Sequence, residues 1–456
     1  MNRVRYRIVA AAAALAFLHF SGGEGGTQEI RPGETVRAAG SESPDPERRD
    51  GGELIRKGEI LSLERCLEIA LKRQPDILAS INTVGVNRSR VGQAAANFYP
   101  QIDLSSGYSR FSSSSSRSSE RSSGGDAELS ASATLKQNLY DFGRTSTQVR
   151  IQRLNTDASL MDLKSTTEQV IFTVKQTYFG VLQAKRNRDV AEEVVGQFRH
   201  HLEQAKGFFE VGLKPRFDVT KAEVDLSNAR LNLIRAENSF RLAWVSLKNA
   251  MGVSDAPEFA LDDTLSYRRY EIALHEAAER AFRNRPDLQA IRTRIRATEG
   301  SVELARKGYF PSVSGTAQYS LAGEKSMDTS WNVGATVTFP LFSGYATRYQ
   351  VEEARASLKV LRANEETIRQ TVILDIQQAY LNLKEAEDRI ATSELTVQQA
   401  RENLDIANGR YEAGVGNPIE VTDALVAYSN AKTTYNNALF DYKVAQANME
   451  KAMGGK

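Results

Sequence analysis

The side chains of this sequence that could do chemistry are scattered carboxylates, four histidines and one thiol, and their spacing argues against catalysis. His275-Glu276-Ala277-Ala278-Glu279 has the outline of a zinc-protease helix but lacks the second histidine that would complete the ligand pair. The matching stretch near the start of the chain, Glu64-Arg65-Cys66-Leu67-Glu68, carries no such chemistry. His200 and His201 are adjacent, so on a helix they do not share a face, and both read as solvated. Cys66 is the single cysteine, which excludes an internal disulfide framework and a thiolate metal cluster. It reads as a small apolar residue on a helix face. The glycines at Gly22–Gly26 follow an apolar leader rather than a strand, so they make no phosphate loop. No catalytic, cofactor-binding or metal-ligating set is expected. What remains is an acidic pair, Glu420 and Asp423, three apart on the first turn of the last expected helix and therefore on one face. Such acids complement the positive end of the helix dipole, as Asp218 also would. If several copies met there, the pair would also form a ring of carboxylates that attracts cations.

Long helices must position these acids. Apolar or small residues recur at Val351, Ala354, Leu358, Leu361, Ile368, Val372, Ile376, Ala379, Leu383, Ala386, Ile390, Val397, Ala400, Leu404, Ala407 and Tyr411. The steps alternate between three and four, a heptad seam, with one extra four-residue step between Val372 and Ile376 acting as a stutter. Glu365 and Ser393 interrupt the stripe with polar groups. Proline and glycine are absent between Gly344 and Gly409, so roughly 65–70 helical residues should span on the order of 100 Å. Gly414 then ends the helix in the left-handed conformation, and Pro418 opens a returning helix where a missing N–H costs nothing.

The same stretch occurs twice. A shift of 202 positions superposes Tyr178 on Tyr380, Gly212 on Gly414, Val219-Thr220 on Val421-Thr422 and Ala250-Met251-Gly252 on Ala452-Met453-Gly454. Upstream, a shift of 211 maps Pro75-Asp76 onto Pro286-Asp287 and Tyr108-Ser109 onto Tyr319-Ser320. The sequence therefore divides into a first structural repeat at 60–253 and a second at 254–456. Long helices are expected at about 143–211 and 345–412, and returning helices at about 215–251 and 417–453. Shorter helices at about 76–98 and 287–308 should stack end to end with the returning ones against the long ones. The remaining segment, 253–285, is expected to form an irregular belt at mid-height with the two chain ends.

Between the helices the period changes to two. Strands are expected at 101–111, 127–139, 312–321 and 331–339. One face carries Ile102, Leu104 and Tyr108; Leu129, Ala131, Ala133, Leu135 and Leu139; Val313, Ala317, Tyr319 and Leu321; and Trp331, Val333, Ala335, Val337 and Phe339. Segments of about ten alternating residues with aromatics near their ends have the proportions of transmembrane β-strands. A soluble hairpin laid on a core is the alternative, but no amphipathic element remains to cover the apolar face. Four strands cannot close a barrel, and lipid forbids an open edge, so copies must associate. A dimer would supply eight strands, too narrow for a conduit, and a trimer twelve. The serine-rich loop Ser112–Asp126 and the shorter Ala322–Ser330 both suit the exterior.

Composition completes the reading. Basic and acidic residues nearly balance, 59 against 57, with no dense basic patch, which argues against nucleic acid as a partner. Residues 1–23 have the anatomy of a secretory signal: Arg3, Arg5 and Arg7, then an apolar run from Ile8 to Phe20, then small residues. An uncleaved anchor is the competing reading, although the run is shorter than the about 20 residues of a spanning helix. Residues 24–59 are poor in apolar side chains and read as a disordered linker.

Several segments carry a family resemblance. They are Phe209-Glu210-Val211-Gly212-Leu213 with Phe217-Asp218-Val219-Thr220, and Tyr411-Glu412-Ala413-Gly414-Val415 with Ile419-Glu420-Val421-Thr422-Asp423-Ala424. The strand-to-helix joints Leu139-Tyr140-Asp141-Phe142-Gly143 and Pro340-Leu341-Phe342-Ser343-Gly344 belong with them. Over residues 60–454 the chain resembles the TolC family of outer-membrane efflux channels. The resemblance implies an α+β membrane protein, a homotrimer with a twelve-stranded barrel in outer-membrane lipid and a helical tunnel in the periplasm. It also implies a periplasmic adaptor protein and an inner-membrane transporter as partners in efflux or type I secretion, with no enzyme activity and no cofactor. By resemblance the adaptor would dock at the tips formed by Gly212, Leu213, Pro215, Arg216 and Asp218, and by Gly414, Val415, Gly416 and Pro418. Glu420 and Asp423 would line the periplasmic gate. The family's basic residue two positions after the tip glycine is replaced here by Gly416, which leaves Arg216 on the other hairpin as a substitute. A periplasmic coiled-coil adaptor or scaffold without a barrel is the alternative function.

Overall fold

The computed structural model of the chain describes residues 55–111, 126–323 and 327–455. The expected signal segment, most of the linker and nearly all of the serine-rich loop lie outside the described residues, as does the outer end of the shorter loop. Among the described residues the order is β1 (Ile60–Leu61), α1 (Leu63–Arg73), α2 (Pro75–Ala95), β2 (Gln101–Phe111), β3 (Asp126–Tyr140), α3 (Arg144–Glu210) and α4 (Arg216–Ala250). It continues with β4 (Ala260–Leu261), α5 (Leu274–Asn284), α6 (Pro286–Arg306), β5 (Ser312–Gly323), β6 (Asp328–Thr338), α7 (Ala346–Glu412) and α8 (Pro418–Ala452). Corresponding helices have equal lengths: 11 residues in α1 and α5, 21 in α2 and α6, 67 in α3 and α7, and 35 in α4 and α8.

A helix of 67 residues is about 100 Å long. Its seam is the one the heptads mark: Val351, Val372, Ile376, Ala379, Leu383, Ala386, Ile390, Leu404, Ala407 and Tyr411 are all buried in α7. The two polar interruptions are satisfied locally. Ser393 is buried and donates its Oγ to the Ile390 carbonyl at 3.0 Å, and Glu365 accepts from Arg292 of α6 at 3.0 Å. The helix α3 packs against α2 and α4, and also against α6 and α8; α7 packs against α6 and α8. Between α3 and α8 an amide cluster fixes the register: Gln183 and Asn187 both donate to Asn437 Oδ1, at 2.8 and 3.1 Å, and Asn436 donates to Asn187 Oδ1 at 3.0 Å.

The segment 253–285 differs from the irregular belt expected. It contains the amphipathic α5, whose Ala277 and Ala281 are fully buried, and β4, which pairs in parallel with β1 through Ile60 and Ala260. The two-residue strands are too brief to show a period, and packing decides them, whereas α5 carries a helical period of its own, with Ala277 and Ala281 four apart on the buried face. Cys66 sits fully buried in the same core, where burial pushes its thiol up to about 12.

The larger sheet runs β2-β3-β5-β6, antiparallel throughout. Register aligns the expected apolar sets on one face, apart from Leu139, which falls in a bulge between Asn138 and Tyr140, and Phe339, which lies beyond the end of β6. Ile102 stands opposite Leu135, Leu104 opposite Ala133, Ala133 opposite Tyr319, and Tyr319 opposite Trp331. The other face is small and polar, with the Ser105 and Ser132 hydroxyls 2.9 Å apart. The apolar face is bare in the single chain: Leu104 is 83% exposed and Trp331 75%. Among the described residues, strands β2 and β6 are unpaired along their outer edges. Below the sheet, Phe142 stacks on Phe310 at 5.7 Å and meets Tyr140 edge-on at 4.7 Å, an aromatic band where strands become helices. Among the described residues no helix is long and apolar enough to cross a membrane.

Candidate functional site: the paired hairpin tips

The long helices end in two identical turns. In the first, Leu213 N–H donates to the Phe208 carbonyl at 2.8 Å and Gly212 N–H to that of Phe209 at 3.0 Å. In the second, Val415 donates to Arg410 at 3.1 Å and Gly414 to Tyr411 at 3.0 Å. Both are Schellman closures, which need a left-handed residue, and Gly212 and Gly414 supply it with φ of 75° and 78°. Gly416 adds a constraint of its own. A Cβ there would lie 2.8 Å from the Tyr411 nitrogen and 2.9 Å from the Arg410 carbonyl carbon, so a larger residue would strike helix backbone. The absence of a basic side chain at this position therefore has a steric reason.

The base that bridges the tips is Lys214, two positions after Gly212, rather than Arg216. Its Nζ donates to the Gly416 carbonyl at 3.3 Å and lies 5.6 Å from the centre of the Tyr411 ring. Arg216 is exposed. Lys214 was missed because its partners lie about two hundred positions away; its place two after the tip glycine was the available signal.

Behind the turns, α3, α4, α7 and α8 meet in one small core, built from residues such as Phe198, Leu202, Ala222, Leu226, Ala407, Val421 and Leu425. Two expectations are corrected here. His201 is not solvated: it is 4% exposed, with its ring 4.8 Å from that of Tyr411, whereas His200 is exposed. Adjacent helical residues point about 100° apart, so one of the two had to follow the seam inward. Asp218 is likewise 5% exposed and turned into the core, so it cannot present its carboxylate to a docking partner. Gly416 and Pro418 are also buried, which leaves Gly212, Leu213, Pro215, Arg216, Gly414 and Val415 as the exposed part of the expected tip surface.

The polar groups of this core are unevenly matched. Asp225 is held by Lys221 Nζ at 2.5 Å and by the Thr422 hydroxyl at 3.0 Å. Among the described residues, the buried His201 Nδ1 and the Tyr411 hydroxyl have no hydrogen-bond partner. Burial holds the His201 imidazolium below the usual histidine range, against the pull of Asp225 and Asp218. Burial also pushes the Tyr411 phenol upward, with Asp218 adding to the effect.

Both acids are exposed near the start of α8, but only Glu420 lies on its first turn; the helix begins at Pro418, which places Asp423 on the second. The two also differ because Glu420 forms an ion pair with Arg410 at 3.3 Å within the same hairpin. Asn417 caps this helix, accepting the Ile419 N–H at 3.0 Å. His275 lies on the surface of α5, 3.7 Å from Glu279, and no group of residues able to hold a metal ion occurs among the described residues.

Known proteins share this architecture and sequence. The family model for outer membrane efflux proteins matches residues 66–253 and 277–455. The chain is similar to the outer membrane protein TolC of Vibrio cholerae, 24% identical over 399 residues, covering 84% of this chain and 89% of the relative. It is also similar to the protein CyaE of Bordetella pertussis, 25% identical over 385 residues, covering 82% and 79%. Among solved structures, CusC matches with a TM-score of 0.76 at 18% identity, covering 86% of this chain and 92% of CusC. The Campylobacter jejuni outer membrane channel CmeC matches with a TM-score of 0.73 at 19% identity, covering 86% and 85%. With two successive matches to one family spanning nearly all the described residues, this chain belongs to the outer membrane efflux protein family and is an outer-membrane exit duct of the TolC type.

Proposed function

We propose that the protein works as a homotrimer, a passive conduit from the periplasm to the exterior whose energy comes from an inner-membrane transporter reached through a periplasmic adaptor. The observation that carries this reading is the sheet: one continuous apolar face, one polar face and two open edges, on a chain with 67-residue helices. Joining β6 of one protomer to β2 of the next would close twelve strands with no free backbone edge in lipid. A second unpartnered surface points the same way. Val224, Leu231, Ile234, Leu242 and Val245 form an exposed apolar stripe on α4, and Val360, Leu374, Leu381 and Leu395 form another on α7. Packing one stripe against the other between protomers would bury both and complete a helical tube.

In this reading 60–253 and 254–456 are tandem repeats, 1–23 is the export signal and 24–59 a linker. The tips offer Val211, Leu213, Phe217 and Val415 as exposed apolar side chains, a surface suited to another protein's helical hairpin. Glu420 and Asp423 of three protomers would ring the narrow end. The adaptor alternative does not account for the apolar sheet. The test is the mass of the purified full-length protein in detergent, combined with cysteine pairs placed across β2 and β6. A trimer with inter-protomer cross-links along those edges is expected; a soluble monomer would overturn the barrel and the conduit together.

A further inference from the structure

We propose that His201 is a proton-responsive strut of the tip core, whose protonation unseats Tyr411 and separates the end of α7 from the end of α3. The seat is apolar and aromatic, and it accommodates the imidazole only in its neutral form. His201 Nδ1 and the Tyr411 hydroxyl are both buried without a hydrogen-bond partner, and the rings meet at 4.8 Å. Phe208 closes the other side of Tyr411 at 5.6 Å between ring centres.

Charged groups face this pair from several elements. On α3 itself the neighbour is His200; from α4 come Asp218, Lys221 and Asp225; from α7 comes Tyr411; from α8 the contributor is the Thr422 hydroxyl, already engaged by Asp225; and from the turn Lys214 lies over the Tyr411 ring. Asp225 is already committed to Lys221 and Thr422. A proton on His201 would therefore place a cation in an apolar, aromatic seat with no acceptor within hydrogen-bond reach of Nδ1, and burial outweighs the attraction of the two aspartates. The sign follows from linkage. A histidine held below its ordinary value when packed, and at that value when solvated, favours the solvated arrangement as pH falls through the ordinary histidine range. The hydrogen bonds from Lys214 to the Gly416 carbonyl and from Thr422 to Asp225 would be left to hold the two hairpins together.

The helix separation stands on the geometry of one chain, whereas any effect on conduction rests on the exit-duct reading. The experiment is hydrogen exchange of the full-length protein in detergent between pH about 7.5 and about 5.5, with rates corrected for intrinsic chemistry. In the wild type, amides at 198–210 and 404–412 should exchange faster at the lower pH, by up to about tenfold over this window, because the solvated histidine takes up its proton only about one unit above the lower pH, while those around Tyr178 and Tyr442 hold. His201→Gln should abolish this pH dependence. Asp218→Asn should enlarge the response without moving its onset, because removing a carboxylate lowers only the packed histidine's value, and this variant carries the test if His201→Gln does not assemble. A wild type whose tip protection is constant across the range, a His201→Gln variant that responds as the wild type does, or a smaller response in Asp218→Asn would each overturn the proposal. Bilayer conductance recorded on the same samples separates the two readings: no conductance at any pH removes the duct, while conductance without a His201-dependent exchange change removes only the strut.

Discussion

Lys214 Nζ donates to the Gly416 carbonyl at 3.3 Å, so the turn ending the first long helix is tied to the turn ending the second. The bond joins two hairpins whose other tip contacts are mostly apolar, and the same ammonium lies over the face of Tyr411. A half-buried cation with one carbonyl acceptor and one aromatic face contributes about 1–2 kcal/mol to holding them together.

Lys214→Ala is therefore expected to loosen the tips without unfolding the chain. In planar bilayers the variant should open more often or conduct more, and its thermal midpoint should stay close to that of the wild type. A tip as closed as in the wild type would show that the tie is not needed.

The turn glycines should separate into two grades. Gly414→Ala meets no neighbour but must adopt a positive φ, at a cost of about 1–2 kcal/mol. Gly416→Ala strikes the Arg410–Tyr411 backbone, costing on the order of 1–3 kcal/mol through displacement of the turn. Hydrogen exchange at 404–416 should report the larger loss for Gly416→Ala, and cross-linking to an adaptor should fall in the same order. Equal effects would place the strain elsewhere.

The acidic pair should not behave as two equal charges. Arg410 already neutralises part of Glu420, whereas the exposed Asp423 has no such ion pair among the described residues. Block of conductance by divalent cations should weaken more in Asp423→Ala than in Glu420→Ala, and Arg410→Ala should strengthen it by freeing Glu420. Unaltered block in the double variant Glu420→Ala/Asp423→Ala, with the trimer intact, would leave these acids only the helix-dipole role, worth about 0.3–1 kcal/mol each.

At mid-height, burial and the nearby Asp287 push the Glu168 carboxyl up to about 7, against the opposing pull of Arg285. An acid whose folded value lies above its unfolded one contributes stability below the unfolded value and loses it as pH rises through the folded one. Glu168→Gln should consequently raise the thermal midpoint above pH about 7 and leave it nearly unchanged at pH about 4. A midpoint that shifts equally at both ends would point to lost packing in place of a relieved charge.

Periodicity decided what was legible in the sequence. The seam from Val351 to Tyr411 and the alternation from Trp331 to Val337 are local patterns, since a helix or strand repeats its facing every few residues whatever surrounds it. Glycine and proline marked both turns for the same reason: Gly414 and Pro418 act through their own backbone torsions. Those patterns also carried the family resemblance, because the two turns and the strand joints are short contiguous stretches. Tertiary structure alone decided which polar residues face inward. His201 lies on the seam by spacing, three after Phe198 and four before Ala205, but only the tertiary contact with Tyr411 of α7 closes that face over its ring. Asp218 occupies a first-turn position ideal for dipole complementation, yet the convergence of four helices turns it into the core. The bond from Lys214 to Gly416 spans 202 positions and the one from Thr422 to Asp225 spans 197. Contacts of that range depend on the lengths of four helices together, and no window of neighbouring residues encodes them.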